Sequence, residues 1–297
     1  MSESQRKTMS RRELSRNPRF EQVSPEVGEL DEDAVQDGLG DDPDEMMALL
    51  ADLTAATDPK LRELAKRLAA RLFLDVSRRG PVRPRGIGKM VSLPYSPDAG
   101  DIDIDASIEA IAEAHGGRAA IDPDGLRVRG WAKPGTALCL MVDRSGSMGG
   151  KPLATSAVAA AAVAWRAPAD YSVLAFGKDI VVAKSQDVHK DSERVVNDVL
   201  SLRGFGTTDV AGALQVAQLQ LLRSRAGRRI AVLLSDCRAT VEGDVVAAAA
   251  ALEELLIIAP EGDSVEAEKL ASAVGARIRC VSGPADVAAA LSSLLDT

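Results

Sequence analysis

Short, continuously apolar runs alternate with longer helical patterns along the C-terminal half of the chain, and this alternation restricts the fold more than any other sequence feature. The clearest runs are Ala137 to Val142, Tyr171 to Phe176, Ile230 to Leu234 and Leu255 to Ile258. Strands that are apolar at consecutive positions are buried on both faces, and strands that alternate with helices form a parallel sheet covered by helices on both sides. The pattern therefore predicts, over residues 134–297, an α/β domain with a doubly wound, mainly parallel six-stranded sheet.

The acidic residues near the N-terminus predict a different organisation there. Half of the positions from Glu26 to Glu45 are Asp or Glu, interrupted by glycine and proline. Such a segment repels itself and buries little apolar surface, so residues 1–45 are expected to be a disordered acidic segment.

Residues 46–133 are expected to hold a small helical region followed by a basic connector. Leucines recur at helical spacing on both sides of Asp58-Pro59, which predicts two helices. The connector is the Arg- and Lys-rich stretch from Arg78 to Lys89. Further on, Asp105 is predicted to be the N-cap of a helix, because the surrounding aspartates lack the glycine and the closing glutamate of an EF-hand loop.

Composition excludes several classes of function. The chain has 44 acidic and 36 basic residues and a formal charge of −8, which disfavours an extended nucleic-acid-binding surface. The segment from Met1 to Arg19 has no apolar stretch of the secretory type, and no run reaches the roughly 20 apolar residues of a membrane span. We therefore expect a cytoplasmic protein that does not insert into membranes and does not bind nucleic acid.

Three polar segments of this predicted domain should meet at one edge of its sheet: the first and the third end buried strands, and the second precedes a helix. The first carries Asp143, Ser145 and Ser147 at alternate positions, the second contains Thr208, and the third ends in Asp236. Alternate positions of an extended loop direct their side chains to one side, and the carboxyl ends of parallel strands share one edge of the sheet. Carboxylate and hydroxyl oxygens suit a hard divalent cation, Mg²⁺ first and Mn²⁺ as the second choice.

The set Asp143-x-Ser145-x-Ser147, Thr208 and Asp236 resembles the metal-ion-dependent adhesion site (MIDAS) of the von Willebrand factor A family. The resemblance implies that the two serines and the threonine contact the ion directly or through water, and that the aspartates hold coordinated waters or the ion itself. It also implies an open coordination position that an acidic residue of a partner can fill. We therefore expect a metal-dependent protein-binding adaptor and not an enzyme.

The stretch from Arg78 to Ala114 resembles the segment that precedes the A domain in magnesium-chelatase D subunits and in CoxE-like proteins. Those relatives work with AAA+ ATPases, so the resemblance implies an AAA+ ATPase of MoxR or chelatase type, its client protein, or both, as partners. Because roughly 130 residues without a phosphate-binding loop cannot form an ATPase half, the MoxR-partnered type is favoured. The charged stretches then act either as docking surface or as solvated linkers.

Two other functions stay open at this point. A Mg²⁺-dependent phosphoryl-transfer enzyme could use Asp143 as its nucleophile, although a second aspartate would then be expected where Ser145 stands. A von Willebrand factor A scaffold that works without an ATPase is the other alternative.

Overall fold

The structure is a computed structural model, and it describes residues 8–78, 89–94, 101–117, 125–132, 135–144, 149–202, 204 and 206–296. The chain divides into two compact units. One contains Met1–Arg83 and Thr136–Thr297, and the other contains Pro84–Gly135.

Five helices form the N-terminal part of the first unit. They are α1 (Arg11–Leu14), α2 (Phe20–Val23), α3 (Glu32–Asp41), α4 (Pro43–Leu53) and α5 (Pro59–Arg78). The predicted break between two helices is confirmed, since Pro59 begins α5 and the N–H of Leu61 donates to Asp58 Oδ1 at 2.7 Å.

The expectation that residues 1–45 are disordered is wrong for residues 8–45, while residues 1–7 lie outside the described residues. Several acidic residues of this segment act as helix caps: Asp31 accepts from the first turn of α3, and Asp42 accepts from the N–H of Glu45 in α4. A carboxylate at a helix N-terminus is stabilised by the free N–H groups and the helix dipole, so the acidic density favours helix starts. Four apolar side chains anchor the segment in the core, namely those of Leu14, Phe20, Val23 and Val35.

The second unit contains one helix, which the sequence predicts, and a small antiparallel sheet, which the sequence did not indicate. Its elements are β1 (Lys89–Pro94), β2 (Asp101–Ile102), α6 (Ile104–Gly117) and β3 (Arg127–Ala132), with the strand order β1-β3-β2. Residues 79–88 of the predicted basic connector lie outside the described residues. Asp105 is not the N-cap of α6: the helix begins one residue earlier, and Asp103 Oδ1 accepts from the N–H of Ala106 at 3.3 Å.

A six-stranded sheet forms the centre of the first unit, in the order β6-β5-β4-β7-β8-β9. Its strands are β4 (Thr136–Asp143), β5 (Tyr171–Phe176), β6 (Ile180–Lys184), β7 (Arg228–Leu234), β8 (Leu255–Pro260) and β9 (Arg277–Val281). The helices that follow them are α7 (Gly150–Arg166), α8 (Ser192–Leu200), α9 (Val210–Leu221), α10 (Val245–Ala250), α11 (Val265–Val274) and α12 (Pro284–Leu295). Every neighbouring pair is parallel except β5 and β6, so the predicted doubly wound, mainly parallel fold is confirmed.

Side chains of the central strands alternate between two cores, one on each face of the sheet. On β4, Leu138 and Leu140 enter the core that contains α7, α8 and α12, whereas Cys139 and Met141 enter the core that contains α9 and α11. Helices α4 and α5 pack on α7 and extend the first core by a further layer. The N-terminal helices and the sheet therefore share one hydrophobic core, and the predicted boundary at residue 134 does not separate them.

Helix α5 is the longest helix described, with 20 residues, and charged side chains occur along its length. Across the described ranges, none of the helices combines the length and the apolar character that crossing a bilayer requires.

Candidate metal centre

Asp143 is the last residue of β4 and lies at the carboxyl edge of the sheet. It is half-buried and pairs in register with Phe176, the last residue of β5. Its Oδ2 accepts a hydrogen bond of 2.6 Å from the hydroxyl of Ser235, the first residue after β7. The same hydroxyl oxygen accepts from the N–H of Cys237 at 2.9 Å. One buried hydroxyl therefore joins the carboxylate on β4 to the turn that follows β7.

Asp236 stands in that turn, next to Ser235. Its Oδ1 accepts from the N–H of Arg238 at 2.9 Å, and Cys237 adopts a left-handed φ of 63° that reverses the chain direction. Burial, followed by the negative charges of Asp236 and Asp143, raises the pKa of the Cys237 thiol to about 12. The carboxylates at the end of β4 and just after β7 thus both disfavour ionisation of this buried thiol.

Thr208 is buried at the start of α9 and is held by the same turn. Its N–H donates to Thr240 Oγ1 at 2.8 Å, and its carbonyl oxygen accepts from the N–H groups of Thr240 and Val241 at 3.0 and 3.3 Å. These bonds fix the Thr208 backbone beside the segment that begins with Asp236.

The end of β5 contacts both the segment after β4 and the loop before α9. The N–H of Asp209 donates to the carbonyl of Gly177 at 3.1 Å, and the N–H of Arg144 donates to that of Phe176 at 2.8 Å. A Cβ on Gly177 would lie 3.3 Å from both Arg144 Cγ and the carbonyl oxygen of Thr207. A side chain at Gly177 would push against the segment after β4 and the loop before α9, which pack closely here.

The structure thus places Asp143, Thr208 and Asp236 at one edge of the sheet. Ser145 and Ser147 lie outside the described residues. Carboxylate and hydroxyl oxygens are the donors that a hard divalent cation prefers, so the residue types at this edge fit such an ion. Among the described residues, no group of three or more His, Cys, Asp or Glu side chains forms a separate metal cluster.

Sequence reasoning missed Ser235, although it directly precedes Asp236. The available signal was its position: a hydroxyl at the end of a buried strand, beside the strand that carries Asp143, can reach that carboxylate. A hydroxyl that orients a metal-binding carboxylate is a common outer-shell feature of metal sites.

Solved structures with related folds resemble this chain only distantly. Proximal thread matrix protein 1 from the mussel byssus is 12% identical with a TM-score of 0.45, and the match covers 54% of this chain and 47% of that one. A von Willebrand factor type A protein from Catenulispora acidiphila is 17% identical with a TM-score of 0.41, covering 53% and 41%. The manganese-loaded TRAP protein of Plasmodium vivax is 16% identical with a TM-score of 0.41, covering 52% and 72%. The match spans less than half of the mussel and Catenulispora proteins.

No curated protein matches the chain. Residues 138–239 match the sequence model of the von Willebrand factor type A domain. This segment runs from β4 to the turn after β7 and includes Asp143, Thr208 and Asp236. The chain therefore contains a von Willebrand factor type A domain.

Proposed function

We propose that this protein is a metal-dependent binding adaptor that holds Mg²⁺ at Asp143, Ser145, Ser147, Thr208 and Asp236. The observation that carries the proposal is the hydrogen bond from Ser235 to Asp143 Oδ2, which ties the first predicted ligand to the turn that bears Asp236. Mn²⁺ is the second ion that such oxygen donors accept.

When bound, the ion supplies a Lewis-acidic position for an oxygen ligand from outside. Asp143 and Asp236 contribute two negative charges and Thr208 contributes none, so the protein leaves an ion of this kind electrophilic. An Asp or Glu side chain of a partner is the natural ligand for the open position, because Mg²⁺ prefers carboxylate oxygen and six-fold coordination. The protein's own residues position the ion, and binding of the partner requires no chemical reaction.

The proposed partner is an AAA+ ATPase of MoxR or chelatase type, its client protein, or both, in the cytoplasm. The support is the likeness of Arg78 to Ala114 to the segment before the A domain in CoxE-like proteins and chelatase D subunits, together with the charge of −8, which disfavours nucleic acid. The protein would join ATPase and client without hydrolysing ATP itself.

The metal site is tested by titrating Mn²⁺ and Mg²⁺ into the purified protein and following the heat of binding. We expect Asp143→Asn and Asp236→Asn each to weaken Mn²⁺ binding at least tenfold, because each variant removes a negative charge from the donor set. Asp244→Asn is the matched control: Asp244 caps α10 through the N–H of Ala247, and asparagine caps equally well. A wild-type protein that binds neither ion, or equal affinities in all three variants, would refute the metal site.

The adaptor role is tested separately with a purified MoxR-type ATPase. Binding should be present in millimolar Mg²⁺ and lost in excess chelator and in Asp143→Asn. Unchanged binding in the chelator would contradict a metal-bridged contact, and turnover of phosphate esters that disappears in Asp143→Asn would favour the phosphoryl-transfer alternative.

A further inference from the structure

Helices α7 and α12 begin at glycines and therefore lack a side-chain cap of their own. The N-cap residues are Gly149 for α7 and Gly283 for α12. Helices α9 and α10 of the same domain are capped locally, by Asp209 and Asp244. A helix start without a local cap leaves N–H groups that need another acceptor.

Helix α4 provides an acceptor for each of these two helix starts. The N–H of Gly150, the first residue of α7, donates to Asp52 Oδ1 at 2.7 Å. The N–H of Ala285 in α12 donates to Asp44 Oδ1 at 2.8 Å. The two aspartates stand near opposite ends of α4, so one helix caps two others that are distant in the sequence.

The glycines are what allow the two carboxylates to approach. A Cβ on Gly283 would lie 2.1 Å from Asp44 Oδ2, and a Cβ on Gly149 would lie 3.3 Å from Asp52 Oδ1. A glycine at the N-cap therefore gives up a local cap and leaves room for an aspartate of α4 to cap the helix instead.

The two contacts differ in what they hold. Gly150 ends the segment that starts at Asp143 and carries Ser145 and Ser147 in sequence, and its φ of 53° is one that glycine adopts without strain. Asp44 instead holds the start of the C-terminal helix, beyond the segment that matches the von Willebrand factor type A model. Asp52 thus belongs to α4, outside the matched segment, but its carboxylate accepts from Gly150, just after the stretch that carries the predicted ligands Ser145 and Ser147.

We propose that Asp52 is a positioning residue of the metal centre. By holding the Gly150 N–H, it fixes the point where the segment with Ser145 and Ser147 enters α7, so that metal affinity depends on the docking of α4. The inference rests on the proposed metal site. Because coupling between two equilibria is reciprocal, metal binding should in turn stabilise the docked position of α4.

The test compares Asp52→Ala with Asp44→Ala, which removes the same kind of contact on the same helix away from the metal segment. We expect Asp52→Ala to weaken Mn²⁺ binding about fivefold, the equivalent of a typical cap interaction, and Asp44→Ala to change it less than twofold. Both variants should lower the unfolding temperature. Asp52→Asn, which keeps an amide oxygen as acceptor, should weaken Mn²⁺ binding less than Asp52→Ala does.

Amide hydrogen exchange gives a second readout that does not depend on affinity. The Gly150 amide should exchange faster in Asp52→Ala but not in Asp44→Ala, and Mn²⁺ should slow exchange along α4 in the wild type. If the wild type binds no metal, the proposed metal function fails. If it binds metal with equal affinity in all the variants, Asp52 is only structural and the positioning role is refuted.

Discussion

The Ser235 hydroxyl makes two hydrogen bonds at once, donating to Asp143 and accepting from the Cys237 N–H. Ser235 is buried, so Ser235→Ala would leave a carboxylate oxygen and an amide without these partners. We expect the variant to lose about 1–3 kcal/mol of stability. Because Asp143 is also less well oriented for a metal, the loss should be larger in Mg²⁺ than in chelator.

Thermal unfolding of wild type and Ser235→Ala, each in Mg²⁺ and in chelator, measures this difference. Equal destabilisation under both conditions would show that Ser235 supports the fold without influencing the metal.

The three cysteines differ in burial, which predicts a distinct labelling pattern. Burial raises the pKa of the Cys139 thiol to about 12, while Cys280 on β9 is exposed. Since the thiolate is the reactive form, an alkylating reagent at pH 8 should label Cys280 in the native protein and leave Cys139 and Cys237 unmodified. Mass spectrometry of digested protein reads the pattern, and labelling in denaturant is the control in which all three react. Native labelling of Cys139 would contradict its place in the core.

Asp143, Thr208 and Asp236 could be selected from the sequence because each stands close to the end of a strand or the start of a helix, in a fold whose strand ends meet. Asp52 could not be selected in this way. It lies 98 residues from Gly150, in a region rich in aspartate, and nothing local distinguishes a distant cap from a solvated carboxylate.

Three parallel strands are tied together at their amino ends by one acidic residue. Glu254, just before β8, forms a bidentate pair with Arg228 on β7 at 2.7 and 2.8 Å and an ion pair with Arg277 on β9. Desolvation acts to raise the pKa of Glu254, but the hydrogen bonds and charges of Arg228 and Arg277 outweigh it and hold the pKa below its usual value.

This arrangement predicts a pH-dependent contribution of Glu254 to stability. A carboxyl group with a depressed folded-state pKa stabilises the fold above its unfolded-state pKa, and the contribution disappears as the pH falls through the folded-state pKa. The stability difference between wild type and Glu254→Gln should therefore be largest near pH 7 and shrink below about pH 4.5, the ordinary pKa. Urea unfolding of both proteins from pH 3 to pH 7 measures it. A difference that is constant across this range would mean that charge plays no part in the pair.

The strands that the sequence indicated are those buried on both faces, such as β4, β5 and β7. Strand β6 was not located, because it is an antiparallel edge strand whose Val181 and Val182 are 41% and 43% exposed, so its apolar run is short and half-solvated. The small sheet of the second unit was missed for a similar reason. Its strands have two to six residues, and each contains polar or charged residues that interrupt the apolar ones or precede them, so no continuous apolar run results.

The N-terminal helices and the C-terminal helix α12 share one hydrophobic core, which the composition of the chain does not indicate. The acidic segment over residues 1–45 suggests a detached tail, but its described part buries apolar side chains in the same core as α4, α7 and α12. A high local density of charged residues indicates which faces of the helices are exposed to solvent and where helix caps occur. It does not reveal the few apolar residues that face inward, and in this segment those residues anchor the helices in the core.

A chain that starts at residue 134, the boundary that the sequence suggested, should therefore be much less stable than the full chain. Helix α4 alone buries Met46, Met47, Leu49, Leu50 and Leu53 almost completely. Each such side chain contributes about 1.5–3 kcal/mol, so their sum, even as an upper estimate, rivals the 5–15 kcal/mol that typically stabilises a domain. The truncation also removes the acceptors at the starts of α7 and α12. We expect a chain that aggregates or unfolds without a sharp transition, measured by calorimetry and size-exclusion chromatography.

Adding back residues 42–78 as a separate polypeptide is the matched test, because it restores α4 and α5 without the covalent connection. If these helices complete the core, the peptide should bind the truncated chain and raise its unfolding temperature, and the same peptide with Leu50→Asp should not, since a charge would then be buried against α7. A chain from residue 134 that unfolds as sharply and at the same temperature as the full protein would instead make the N-terminal helices an accessory layer.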